Sequence, residues 1–255
     1  MSPTVNIGPI LVYSFGLFCV LAYIAGSFLF WRKLKEEIAE ELLIKLSFFV
    51  AVSATLGARI VPAVYAFALR PTFDMFVRAF IIGDLSFWGG FIGGMLPLYL
   101  WGRKDVKQLW DLLDPVGEIF LWVATIVSLG SMFAKLWVGK QTSFLGLGSH
   151  PVGLYLSLWC FLGIMIAFYV KKSYRGWIWY RSGKVGLVGL ISFSWFFLGF
   201  LGIASLVEKQ IYLGPFALDQ ILSLIVLLLL ITLIWYRAGR KYKEFFLWLP
   251  RKALN

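Results

Sequence analysis

Gly83-Asp84-Leu85-Ser86-Phe87-Trp88-Gly89-Gly90-Phe91-Ile92-Gly93-Gly94 lies inside a long apolar run. Each glycine inside a helix costs roughly 1 kcal/mol against Ala, so a stretch this rich in glycine makes a poor helix in water. In a bilayer the same residues have a use. Gly89 and Gly93, like Gly90 and Gly94, are four apart and share a helical face, where missing side chains let another backbone approach closely. Just ahead of that face Asp84 and Ser86 supply polar atoms. Backbone N–H groups bared by glycine are also suited to an anion such as a phosphate. Two readings therefore stand side by side, tight helix packing and an anion site.

Working outward, the chain has 255 residues, of which 60% are hydrophobic and 15% charged. Apolar runs at 9–31, 46–69, 79–101, 112–138, 151–170, 185–207 and 211–236 each reach about the 20 residues that span the hydrocarbon core. The expected fold is an all-α integral membrane protein of seven transmembrane helices. It forms one domain over 1–255 with short loops and a basic tail at 237–255.

The basic residues orient it. With the N-terminus outside, the cytoplasmic segments carry Arg32, Lys33 and Lys35, then Arg103, Lys104 and Lys107, then Lys171, Lys172, Arg175, Arg181 and Lys184, and finally Arg237, Arg240, Lys241, Lys243, Arg251 and Lys252. The external segments carry Arg70, Arg78, Lys140 and Lys209. This asymmetry is the positive-inside pattern, with a cytoplasmic C-terminus. The formal charge of +11 is then mostly a collar facing anionic lipid. Spread over several loops, it does not describe a nucleic-acid surface.

Arg59 is the sharpest single residue, because an arginine in mid-run must face a cavity or a partner. Ion pairing with Asp84 or Glu118 and phosphate binding are both open to it, since its planar fork donates in pairs. Lys35–Glu41 reads as a short surface helix, and Asp111 and Asp114, before Pro115, as caps of the fourth span. Lys135 is close enough to the outer end to snorkel. His150, the single histidine, stands at the entry to the fifth span, and Asp219 and Gln220 in the first turn of the seventh. Cys19 and Cys160 sit in mid-run and read as small core residues. No metal-ligand spacing or nucleotide fingerprint is present, and no metal or cofactor is expected.

Local motifs in a fixed order give the chain a resemblance. Ile7-Gly8-Pro9 through Phe15-Gly16-Leu17, Gly57-Ala58-Arg59, Leu85-Ser86-Phe87-Trp88-Gly89-Gly90-Phe91-Ile92-Gly93, His150-Pro151-Val152-Gly153-Leu154-Tyr155 and Gln220-Ile221-Leu222-Ser223 resemble the motifs of the prolipoprotein diacylglyceryl transferases of the bacterial inner membrane. The resemblance implies transfer of the diacylglyceryl group of phosphatidylglycerol to the lipobox cysteine of a prolipoprotein, with that phospholipid and the signal peptide as partners. It implies a headgroup site at Arg59, Asp84, Ser86, Gly89 and Gly90. It makes Phe15, Gly16, His150, Tyr155 and Gln220 motif positions. Oligomeric state is left open.

The departures are specific. Trp88 stands where the family has His, and Phe15 where it has Tyr, so no catalytic residue is named. The family's arginines of the fourth and sixth spans have no counterpart, since none occurs between Arg103 and Arg175 or between Arg181 and Arg237. Lys135 and Arg78 are the cations that remain to replace them. The other reading of these gaps is an inactive paralogue that keeps a phospholipid- or signal-peptide-binding groove.

Overall fold

The computed structural model describes residues 4–7, 10–103, 106–143, 148–208 and 211–240. Gly8 and Pro9, Lys104, Lys209 and the tail from Lys241 lie outside them, as do the side chains of 4–7, 10–12 and 106–108. Eight α-helices are described: α1 Ser14–Leu34, α2 Glu40–Leu69, α3 Phe73–Ile82, α4 Phe87–Gly102, α5 Val106–Phe133, α6 Val152–Ser173, α7 Leu187–Ala204 and α8 Leu218–Arg237. Six are long and apolar enough to cross a membrane, and α3 with α4 makes a seventh if that bent pair is one span. The chain is an all-α integral membrane protein.

Several boundaries differ from the sequence reading. The run from residue 9 does not open as helix: β1 (Thr4–Ile7) pairs antiparallel with β2 (Ile10–Tyr13), and α1 begins at Ser14. The run from 211 opens as a hairpin, β5 (Tyr212–Leu213) against β6 (Phe216–Ala217), turned at Gly214 with φ +64°. β3 (Gln141–Thr142) and β4 (Gly148–Ser149) form a third short pair. Instead of a surface helix, Lys35–Glu37 turn and Glu40 and Glu41 open α2. The expected span 79–101 is broken, with α3 and α4 meeting at 82°.

Two compact units divide the chain, one within Ser27–Leu112 and the other within Met1–Gly26 and Leu113–Asn255, with the divisions falling inside α1 and α5.

In the Ser27–Leu112 unit α4 packs on α2 through glycine. A Cβ at Gly57 would strike the Gly89 carbonyl, one at Gly89 the Gly57 carbonyl, and one at Gly93 the Ser53 carbonyl. Gly90 and Gly94 sit in ordinary contact with the Ala58 and Ala54 side chains, at 3.5 and 3.4 Å from an added Cβ. The glycine face is a helix–helix contact in which dispersion between close backbones replaces the hydrophobic drive that lipid does not supply.

In the other unit α6 and α7 carry the same device twice. Trp159 and Trp195 stack at 4.3 Å with planes 6° apart, and each indole Nε1 donates to the other residue's carbonyl, at 2.7 and 2.8 Å. Gly163 lies under Trp195 and Gly199 under Trp159, where a Cβ would overlap the ring. Trp and Gly four apart on each helix thus make a reciprocal clasp. Phe193, Phe196, Phe197 and Phe200 of α7 are buried beside it. Cys160 is wholly buried, and Cys19 is half-buried.

Candidate functional site

Gly83 ends α3, Asp84 and Leu85 have no regular structure, and Ser86, in an extended conformation, caps α4. The Ser86 hydroxyl accepts the Gly89 N–H at 3.2 Å, and the Ser86 carbonyl accepts the Gly90 N–H at 3.1 Å. A break in a span exposes backbone groups that lipid cannot satisfy, and α2 meets that need twice. The Ser86 N–H donates to the Ala58 carbonyl at 3.0 Å. In an uninterrupted helix that carbonyl would receive the N–H four residues on, but residue 62 is proline and has none. Pro62 therefore leaves open the Ala58 carbonyl that docks the loop.

The second contact comes from Arg59, next along α2, which donates from a terminal guanidinium nitrogen to the Gly83 carbonyl at 2.8 Å. Arg59 is half-buried and Asp84 is exposed, and among the described residues no ion pair joins them. Glu118, the other expected partner, is buried and pairs with Lys171 at 3.1 Å. The arginine is thus a half-buried cation held by one carbonyl. Arg59, Asp84, Ser86, Gly89 and Gly90 share this corner of α2 and α4. Trp88 is half-buried there, its ring edge-on to Phe87 at 5.4 Å.

The remaining motif positions lie in the other unit. Phe15 is half-buried, while Gly16 is exposed with nothing near an added Cβ, so packing does not account for it. His150 precedes α6 with its ring 6.1 Å from that of Tyr155. Its N–H donates to the Lys140 carbonyl at 3.1 Å and its carbonyl accepts the Val152 N–H at 2.9 Å. Its Nδ1 is buried with no hydrogen-bond partner among the described residues. Gln220 holds the start of α8: its amide oxygen accepts the Ala217 N–H at 3.1 Å, and its nitrogen donates to the Leu201 carbonyl at 3.5 Å.

Arg78 and Lys135, the cations named as candidates to replace the missing arginines, each have a local role. Arg78 forms an exposed pair with Asp74, one turn away, at 2.8 Å. Lys135 has φ +53°. Its N–H bonds the Met132 carbonyl at 3.3 Å and the Leu136 N–H bonds that of Ser131 at 3.1 Å. This is a Schellman ending to α5 with lysine where glycine is usual.

Asp114 does not cap its own span. Helix α5 already runs from Val106, so Asp111 and Asp114 are interior to it. The Asp114 carboxylate instead accepts the N–H groups of Gly186 at 2.9 Å and Gly189 at 2.8 Å, capping α7 from a neighbouring helix. Gly186, at φ +100°, offers no side chain to cap its own helix, and Gly189 sits so close that an added Cβ would strike the Leu113 carbonyl. A helix start without Ser, Thr, Asp or Asn was the signal in the sequence that its acceptor lies elsewhere.

The family model for prolipoprotein diacylglyceryl transferase matches residues 3–236. The phosphatidylglycerol–prolipoprotein diacylglyceryl transferase of Acinetobacter baylyi is 26% identical over 286 aligned residues, covering 97% of this chain and 95% of that protein. The proteins of the same name from Trichormus variabilis and Acinetobacter baumannii are each 25% identical, covering 86% and 97% of this chain and 83% and 95% of their own.

Proposed function

The chain belongs to the prolipoprotein diacylglyceryl transferase family, and from that premise we propose that it transfers the diacylglyceryl group of phosphatidylglycerol to the lipobox cysteine of a prolipoprotein signal peptide. The proposed setting is the cytoplasmic membrane of a bacterium, with the N-terminus outside and the basic tail inside, as the lysines and arginines favour. In the reaction the cysteine sulfur bonds to the glyceryl carbon as its C–O bond to phosphate breaks. Glycerol phosphate leaves with the electron pair, and the thiol gives up its proton to a base. Charge develops on the departing phosphate, so cations and oriented donors aimed there lower the barrier.

The observation that carries the site is the Arg59 guanidinium. It is half-buried in an apolar helix, has one N–H on the Gly83 carbonyl, and has no carboxylate at ion-pair distance among the described residues. A cation so placed is stabilised by an anion from outside the chain, and a guanidinium matches a phosphodiester in shape and donor number. Ser86 adds a hydroxyl, which can donate while its oxygen accepts from Gly89. Asp84, exposed in the same loop, is suited to accept from the hydroxyls of a glycerol headgroup. Gly89 and Gly90 let α4 lie against α2, which brings this loop to Arg59.

The test is transfer of labelled diacylglyceryl from phosphatidylglycerol liposomes to a lipobox peptide by the purified full-length chain. The parent transfers. Arg59→Ala lowers kcat/KM by about 10²- to 10³-fold, the scale of one lost oriented donor, and Arg59→Lys falls between. No transfer by the parent overturns the function, whereas full activity in Arg59→Ala overturns the site alone.

A further inference from the structure

Where α8 ends, the chain lies against the segment joining α6 to α7. The Arg237 guanidinium donates to the Val185 carbonyl from Nε at 3.1 Å and from a terminal nitrogen at 2.9 Å. The Ser182 hydroxyl donates to the Arg237 carbonyl at 2.5 Å, and Arg240 Nε to the Trp179 carbonyl at 3.5 Å. Burial pushes the Tyr180 phenol above its ordinary value, so it stays a donor, bonded to the Lys184 carbonyl at 2.8 Å. Gly239, between Arg237 and Arg240, has φ +77°.

Two hollows meet at this end. One, of about 320 Å³, is lined by Lys184, Tyr236, Arg237, Gly239 and Arg240. Three of its five walls are cationic. The other, of about 480 Å³, is lined by Gly176, Trp177, Ile178, Trp179 and Arg240. It is apolar and aromatic: the Trp177 and Trp179 rings are 5.4 Å apart, and Ile178 is 86% exposed. Arg240 lines both.

We propose that the paired hollows form a binding site for an anionic phospholipid. The phosphate lies among Lys184, Arg237 and Arg240, and the glyceryl ester and upper chain lie on Trp177, Ile178 and Trp179. A phospholipid of this kind carries charge and hydrocarbon next to one another, and this end of the protein presents a cationic and an apolar hollow side by side, joined at Arg240. Trp and Tyr favour the depth at which headgroup passes into chain. Arginine is the better cation for phosphate, because its fork donates in pairs. A collar of dispersed charge would attract anionic lipid without regard to the tryptophans, which separates that case from a built site. The assignment does not rest on Arg59 or on transfer activity.

The test uses the purified full-length chain in dodecylmaltoside, with ligands counted by native mass spectrometry over a concentration series. The probes are dioleoyl phosphatidic acid, dioleoyl phosphatidylcholine and inorganic phosphate. One phosphatidic acid binds at least tenfold more tightly than phosphatidylcholine, and millimolar phosphate does not displace it. Each cation near lipid phosphate contributes about fivefold, so Lys184→Gln with Arg240→Gln weakens binding about 25-fold, while Arg240→Lys restores most of its share. Ile178→Ser with Trp177→Ala weakens it at unchanged unfolding midpoint, and Arg59→Ala leaves this site filled. Binding within twofold of the parent in the Lys184→Gln, Arg240→Gln variant overturns the proposal. So does indifference to the Ile178 and Trp177 changes, which leaves only dispersed charge, and so does displacement by inorganic phosphate, which leaves a free-anion site without a lipid.

Discussion

Replacing Asp114 by Ala removes the acceptor at the start of α7 and nothing else of comparable size. Two N–H groups, of Gly186 and Gly189, lie 2.9 and 2.8 Å from its two carboxylate oxygens, and the helix brings no cap of its own. Hydrogen bonds to a charged group contribute about 1.5–3 kcal/mol each, and the positive end of the helix dipole adds a fraction of that. Against this stands the cost of holding a carboxylate partly out of water, which Ala no longer incurs. The balance is a loss of about 3 kcal/mol. Asp114→Asn keeps one amide oxygen and turns an NH2 toward the second donor, for a loss of about 2 kcal/mol. Asp111→Ala, three residues earlier on the same helix, costs under about 0.5 kcal/mol, as changes away from such features do. The assay is equilibrium unfolding of the full chain in mixed micelles of increasing dodecyl sulfate, followed by circular dichroism. Asp114→Ala within about 0.5 kcal/mol of the parent, or an equal loss in Asp111→Ala, refutes the reasoning.

Three further outcomes are expected in the same assay. Gly89→Ala drives a methyl into the Gly57 carbonyl and loses roughly 3 kcal/mol, the upper end for overpacking, whereas Gly90→Ala meets the Ala58 methyl at 3.5 Å and is neutral or stabilising by up to about 1 kcal/mol; similar losses at both positions would show that the α2–α4 contact is not as described. Gly199→Ala destabilises by about 2 kcal/mol through overlap with the Trp159 ring, and Trp159→Leu in the same chain recovers part of that loss, a coupling that strict additivity would disprove. Lys135→Gly relieves a left-handed backbone and stabilises by about 1 kcal/mol; retained transfer in that variant excludes Lys135 as a replacement for the arginines missing from the family pattern.

Helix type and membrane class were legible because they are local. A run of about 20 apolar residues is visible without knowing its neighbours, and six helices follow those runs. Their ends were less legible. Tyr212 to Ala217 is as apolar as a helix start, yet Gly214 turns it into a hairpin, and composition alone does not choose between the two. The candidate site divides in the same way. An arginine in mid-run announces that it needs a partner, and Ser86 followed by glycines announces a helix start. That Arg59 reaches the Gly83 carbonyl, and that the Ala58 carbonyl left open by Pro62 receives the Ser86 N–H, are relations between segments far apart in the chain.

The sequence by itself determined that the chain crosses a membrane several times, that its helices carry bare glycine faces, and which cation lies deep in a span. Spacing and hydropathy are properties of one segment, and the bilayer demands them of each segment separately. Only the tertiary structure decided which glycines are indispensable and which carboxylate caps which helix. Gly89 and Gly90 are adjacent and chemically identical, and only the backbone opposite separates a clash from a contact. Asp114 stands beside a proline in a pattern that reads as a cap of its own helix, but α5 continues through it and satisfies those N–H groups already, so the carboxylate serves the start of α7, whose own N-cap glycine carries no acceptor.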